Sequence, residues 1–99
     1  MMEYNFGALL KGYRNIYKIN QTKLGDIMLC SRMTINTIEK AVNVSELSDD
    51  SLFKLYYFLS KYGVDDLDIS RMLLEEVSTE IDNRINYHSE NRIGHTRYN

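Results

Sequence analysis

Few side chains in this chain have the type and spacing to do chemistry, and those few point to recognition rather than reaction. There is no Ser/His/Asp set, no glycine-rich phosphate loop and no convincing pair of carboxylates. His88 and His95 have no Cys or acidic cluster at metal-ligand spacing, so no metal and no cofactor are expected. Cys30 stands alone, which excludes an intramolecular disulfide and fits a reducing cytoplasm. Its plainest reading is a small buried hydrophobe. The acidic run Asp65, Asp66 and Asp68 reads as the first turn of a helix, where the dipole favours carboxylates. An enzyme is not expected.

The segment around Arg32 is organised. In Gln21–Glu39, Leu24, Ile27 and Met28 recur at three- and four-residue spacing and line one face of a first helix. Leu29, Cys30 and Ser31 interrupt it, and Ile35 and Ile38 line one face of a second. Ser31 stands where its hydroxyl can cap that second helix. Two short helices joined by such a turn form the helix-turn-helix, whose second helix enters the DNA major groove.

Gln21, Leu24, Gly25, Ser31, Ile35, Ile38 and Glu39 match the pattern Q-x-x-L-A-x-x-x-G-V-S-x-x-x-I-x-x-I-E without a gap. On these residues, residues 5–64 resemble the Cro/CI-type (XRE-like) DNA-binding domains, which include the lambdoid phage repressors. The resemblance implies an all-α, five-helix Cro/CI-like domain binding double-stranded DNA. It puts Ser31, Arg32, Met33 and Thr37 at base edges, with Asn36 at the margin. For Arg32 the alternative is a phosphate clamp, which positions without reading sequence. Asn20, Gln21 and Lys40 fall at phosphate contacts, and Arg14 and Glu39 at a structural ion pair between the first and third helices. Three residues depart from the pattern. Gly25 replaces Ala, Leu29 replaces a turn Gly where backbone often needs positive φ, and Ala41 replaces a later Gly.

Size and charge agree with this reading. With 99 residues, no proline and 26% charged residues, the chain suits a helical domain with an added element. No apolar run approaches the roughly 20 residues that span a bilayer. No basic region followed by an apolar stretch opens the chain, so a cytoplasmic protein without a secretory signal is expected. Residues 1–40 carry six basic against three acidic side chains, and residues 41–90 four against eleven. One basic end therefore suits phosphate. Lys11, Lys18 and Lys23 read equally well as solvated charges.

The expected elements follow from apolar period and caps. Asn5 caps a helix from Phe6 to about Tyr17, with Phe6, Leu9, Leu10, Tyr13, Ile16 and Tyr17 as its stripe. Asn20 caps Gln21–Met28, and the third helix runs from Arg32 to Lys40. A polar loop, 43–48, leads to Ser48 or Asp49 as cap of a fourth helix. That helix buries Leu52, Leu55, Tyr56 and Leu59 and stops at Gly63. The domain organisation expected is 1–64 for DNA binding, 65–88 for a C-terminal helix (about Leu67–Tyr87) and 89–99 for a disordered tail. Leu73 or Leu74, with Val77, Ile81 and Ile85, forms the last helix's stripe. It either docks on its own domain or pairs with a second copy. In the pairing, Leu74, Val77, Ile81 and Ile85 are the homodimer interface, and Glu75, Glu76, Glu80, Asp82 and Arg84 face water. The function expected is a dimeric, operator-binding transcriptional regulator, most simply a repressor. The alternatives are an antitoxin that binds a toxin through 65–99, and a protein-interaction module without DNA binding.

Overall fold

Residues 5–62 and 68–97 are described by a computed structural model, with side chains through Tyr87. Five α-helices form: α1 Phe6–Ile16, α2 Gln21–Met28, α3 Arg32–Glu39, α4 Asp49–Tyr62 and α5 Asp68–Arg97. A 3-10 turn, Val44–Glu46, lies between α3 and α4, and there is no strand among the described residues. The Gly63 stop, the Leu67 start and Asp65 and Asp66 lie outside the described residues.

Local chemistry sets these boundaries. Asn5 Oδ1 accepts from the Ala8 N–H at 2.9 Å and starts α1. Of the two candidates before α4, Ser48 is the cap, its Oγ accepting from the Ser51 N–H at 3.1 Å. The expected polar loop contains two buried anchors, Val44 and Leu47. It is closed by the Asn43 N–H donating to Glu46 Oε2 at 3.0 Å.

Phe6, Leu10, Leu24, Ile35, Ile38, Leu55, Phe58, Leu59, Leu73 and Val77 are among the buried side chains of a core shared by all five helices. In α1 the stripe ends earlier than expected, with Ile16 and Tyr17 exposed. In α4, Phe58 is buried and Tyr56 exposed, the reverse of the expectation for Tyr56. The Phe58 ring meets Tyr13 edge-on, centroids 6.1 Å apart, which draws position 58 inward.

Two expectations for the last helix are corrected. Leu73, Val77 and Ile81 pack inside the chain's own core, where each buried aliphatic contributes about 1.5–3 kcal/mol. Val77 and Ile81 are therefore committed to their own domain, against α1 and α4, rather than to a second copy. Leu74 is half-buried at the core's edge, and only Ile85 of the proposed interface stands clearly in solvent. The helix also continues to Arg97, so the backbone of residues 89–97 is helical where a disordered tail was expected. No proline interrupts it, and extending a formed helix adds one hydrogen bond per residue ordered.

Arg84 fastens α5. Its guanidinium donates to Glu80 Oε2 at 2.8 Å, to Asp49 Oδ1 at 2.6 Å and to the Leu47 carbonyl at 2.8 Å. A side chain expected to face water thus ties α5 to the start of α4. Asp49 and the last carbonyls of the connecting turn are its partners.

Gly7 permits the closest approach among the described glycines. A methyl there would overlap the Glu39 carbonyl and lie 2.8 Å from the Ala41 oxygen. Gly12, on the same helix, has nothing within 4 Å of the corresponding position. Gly7→Ala is expected to lower stability by about 1–3 kcal/mol through overpacking. Gly12→Ala is expected to raise it by about 0.5–1 kcal/mol through helix propensity. Urea unfolding of the two variants checks the difference in sign.

Candidate nucleic-acid interface

The interface begins with how α2 ends. Asn20 Oδ1 accepts from the Lys23 N–H at 2.8 Å and starts the helix. Eight residues on, Leu29 enters the left-handed region at φ 60°, ψ 44° and stops it. The Cys30 N–H then donates back to the Gly25 carbonyl at 2.8 Å. A methyl on Gly25 would lie 2.7 Å from the Cys30 carbonyl oxygen, so with a Cβ at position 25 this turn would have to shift away from α2. Gly25 is therefore a packing requirement, while Leu29 carries a strain that glycine would not. Lys18, at φ 57°, is a second left-handed residue, for which the sequence showed no signal.

Ser31 starts α3, its Oγ accepting from the Thr34 N–H at 3.1 Å. Ile35 and Ile38 are buried, which turns Arg32, Met33, Thr37 and Lys40 outward. Ser31 is exposed beside them. Met33 is 76% exposed, a large apolar side chain held in water at the front of the helix. Thr37 Oγ1 donates to the Met33 carbonyl at 3.1 Å, which leaves its oxygen able to accept. Among the described residues Arg32 forms no hydrogen bond or ion pair, so its guanidinium is available to a ligand. The structure thus brings the four expected base-contact residues onto one exposed surface.

The back of α3 is held by a polar network. Arg14 Nε donates to Glu39 Oε2 at 2.6 Å and Nη2 to Oε1 at 3.1 Å, a two-pronged pair with side chains 10% and 4% exposed. Arg14 Nη1 also donates to the Ile19 carbonyl at 3.0 Å, so the pair reaches the α1–α2 turn. Gln21 Nε2 donates to Glu39 Oε1 at 3.0 Å and approaches Asn36 Oδ1 at 3.5 Å. The Gln21 side chain is thus engaged inside the fold, and what the expected phosphate contact keeps at this position is the backbone N–H at the start of α2. The side-chain amide N–H groups point inward to Glu39 and Asn36, and an amide oxygen cannot donate to phosphate. Asn36 likewise belongs to the network rather than to the exposed front. Asn20 and Lys40 remain exposed at opposite ends of the α2–α3 unit.

Cys30 packs partly against the core, and burial pushes its thiol pKa up. A raised pKa lowers the thiolate fraction, which suits a packing role rather than a redox one. No helix among the described residues is long and apolar enough to cross a membrane. Comparison with known proteins adds no relative: no family model, no curated protein and no solved structure matches the chain.

Two variants test this architecture. Glu39→Ala leaves Arg14 buried and unpaired and is expected to cost up to about 3–5 kcal/mol. Replacing Arg14 and Glu39 together by Met and Leu is expected to cost less than either single change, and simple additivity in a double-mutant cycle would contradict the pairing. Leu29→Gly, at a side chain that contacts little, is expected to add about 1 kcal/mol by relieving the left-handed backbone, read as a raised melting temperature.

Proposed function

We propose that this chain is a sequence-specific DNA-binding transcriptional regulator with a Cro/CI-like (XRE-like) fold, acting as a dimeric repressor in the cytoplasm. The observation that carries the proposal is the two-sidedness of α3. Its inner face is packed and its Glu39 is held by Arg14 and Gln21, while Arg32, Met33 and Thr37 stand together in solvent. An exposed methionine and an unpaired arginine on a rigidly held short helix suit base edges. Arg32 offers two donors to guanine, and Met33 and the Thr37 methyl suit thymine methyl groups. Asn20 and Lys40 are exposed on either side of them and suit phosphate, and the first 40 residues carry the net positive charge that phosphate needs. Repression follows from occupying an operator that polymerase would otherwise use.

A second reading, an antitoxin that binds a toxin through residues 65–99 while its domain represses the operon, draws on one observation. α5 runs on past Ile81, its last core residue, to Arg97. The two readings share the DNA-binding step and differ in what meets the end of α5.

Selection of bound sequences from a random DNA pool at fixed salt tests the shared step. Arg32→Ala is expected to weaken specific binding by about 1–3 kcal/mol and to relax preference at one base position. Equal weakening on every sequence would assign Arg32 to phosphate. Absence of salt-sensitive binding would remove DNA as the partner.

A further inference from the structure

The outer face of α4 carries a row of four residues at four-residue steps: Asp49, Phe53, Tyr57 and Lys61. Such a row forms one ridge along a helix. All four are exposed, Phe53 by 54% and Tyr57 by 55%, although two are aromatic. The Lys61 ammonium donates to the Tyr57 hydroxyl at 3.0 Å and lies 5.4 Å from that ring's centroid, so it stays on the ridge. At the other end Arg84 holds the Asp49 carboxylate through Oδ1 at 2.6 Å, and the Asp49 side chain remains 73% exposed.

The row reads acidic, aromatic, aromatic, basic, and this order is complementary to its own reverse. Laid antiparallel against a second copy about a two-fold axis that crosses the ridge midway between Phe53 and Tyr57, Asp49 meets Lys61 of the partner subunit. Phe53 meets Tyr57 of the partner subunit, and both contacts recur by symmetry. We propose that this ridge is a homodimer contact, with two α4 helices packed antiparallel, ridge along ridge, at the crossing of about 50° that two four-residue ridges give. Charge complementarity selects the occupant. Residues 41–90 are strongly acidic, so two copies repel in most orientations, and a parallel setting would oppose Asp49 to Asp49. The antiparallel setting replaces that repulsion with two Asp–Lys pairs at the rim and puts two aromatic pairs between them. Beside the ridge, a cleft of about 160 Å³ between α4 and α5, lined by Leu52, Phe53, Ile81 and Ile85 with the Asp49–Arg84 pair at its edge, adds apolar area. The contact supplies the dimer that the DNA-binding reading calls for, and it rests on that reading for its role.

Sedimentation equilibrium of the full chain, with no DNA present, tests the contact separately from that role. Over roughly 1–100 µM a monomer–dimer equilibrium is expected. Phe53→Glu and Lys61→Glu are each expected to weaken it about tenfold or more, because each sets a carboxylate against an aromatic or acidic partner. Adding Tyr57→Lys to Phe53→Glu sets Glu against Lys across the axis and is expected to recover most of the lost association. All the substituted residues are exposed, and unchanged helical circular dichroism and melting temperature confirm that each variant folds. A chain that stays monomeric to the top concentration overturns the proposal. So does a dimer indifferent to Phe53→Glu and Lys61→Glu but broken by Ile85→Glu, which would place the interface on α5. A dimer with the expected variant pattern that selects no DNA sequence supports the ridge and refutes the DNA-binding reading instead.

Discussion

Glu39 is the residue on which the arrangement of α3 depends, because α1 grips it by backbone and side chain at once. Its carbonyl lies against Gly7 in the first turn of α1, and its carboxylate takes both prongs of Arg14 from the last. Just beyond it, the carbonyls of Ala41 and Val42 accept from the Gly7 and Phe6 N–H groups, each at 2.9 Å. These two donors belong to the start of α1, where no intrahelical acceptor exists. The end of α3 and the start of α1 therefore satisfy each other's backbone. Arg14, one helix length away, fixes the angle between them. A buried ion pair of this kind adds little net stability, because desolvation offsets much of the attraction. What it contributes here is direction, since losing either partner leaves a charge in a nearly closed site.

The consequence for recognition is that α3 needs few residues to be rigid. Eight residues are too short for a helix to be stable alone in water. Ile35 and Ile38 anchor its inner face, Ser31 caps its start, and the network of Arg14, Gln21 and Glu39 holds its end. The exposed side chains then ride on a backbone whose ordering cost is met by folding rather than by binding. In the proposed DNA complex this lowers the entropic cost of binding, which then falls on side-chain rotamers such as those of Arg32 and Met33. The strain at Leu29 is tolerated for the same reason. Packed helices on both sides over-determine the turn, and Gly25 gives it room.

Much of this was legible before the structure. Glu39 was recognisable from the matched pattern and Arg14 from the wider resemblance, Ser31 from its place before an apolar-periodic run, and position 29 as a point of strain or rearrangement from the leucine that replaces a turn glycine. Other features were hidden for definable reasons. Leu73 and Leu74 are adjacent, so periodicity alone left the buried face of α5 uncertain by about 100° of rotation. The helix turns Leu73 inward, which carries Val77 and Ile81 into the core and leaves Leu74 at its edge. Glu80 and Arg84 are spaced four apart, the pattern of an ordinary surface pair, and nothing local signals that Arg84 also reaches Asp49 and the Leu47 carbonyl. Gln21 fitted a phosphate site by position, but the inward hydrogen bond to Glu39 depends on a helix approach that no local pattern encodes.

The burial of α5 changes what the C-terminal third of the chain is for. A domain of about 60 residues buries too little surface to be comfortably stable. Leu73, Val77 and Ile81 close the side formed by α1 and α4, and Arg84 clips the helix to the turn before α4. Residues 68–84 are therefore part of the domain rather than an appendage to it. The exposed apolar surface accordingly lies on the outer face of α4 and in the cleft beside Ile85 rather than along the whole stripe of α5. The same Asp49 stands at both places, held by Arg84 on one side and exposed at the end of the α4 ridge on the other.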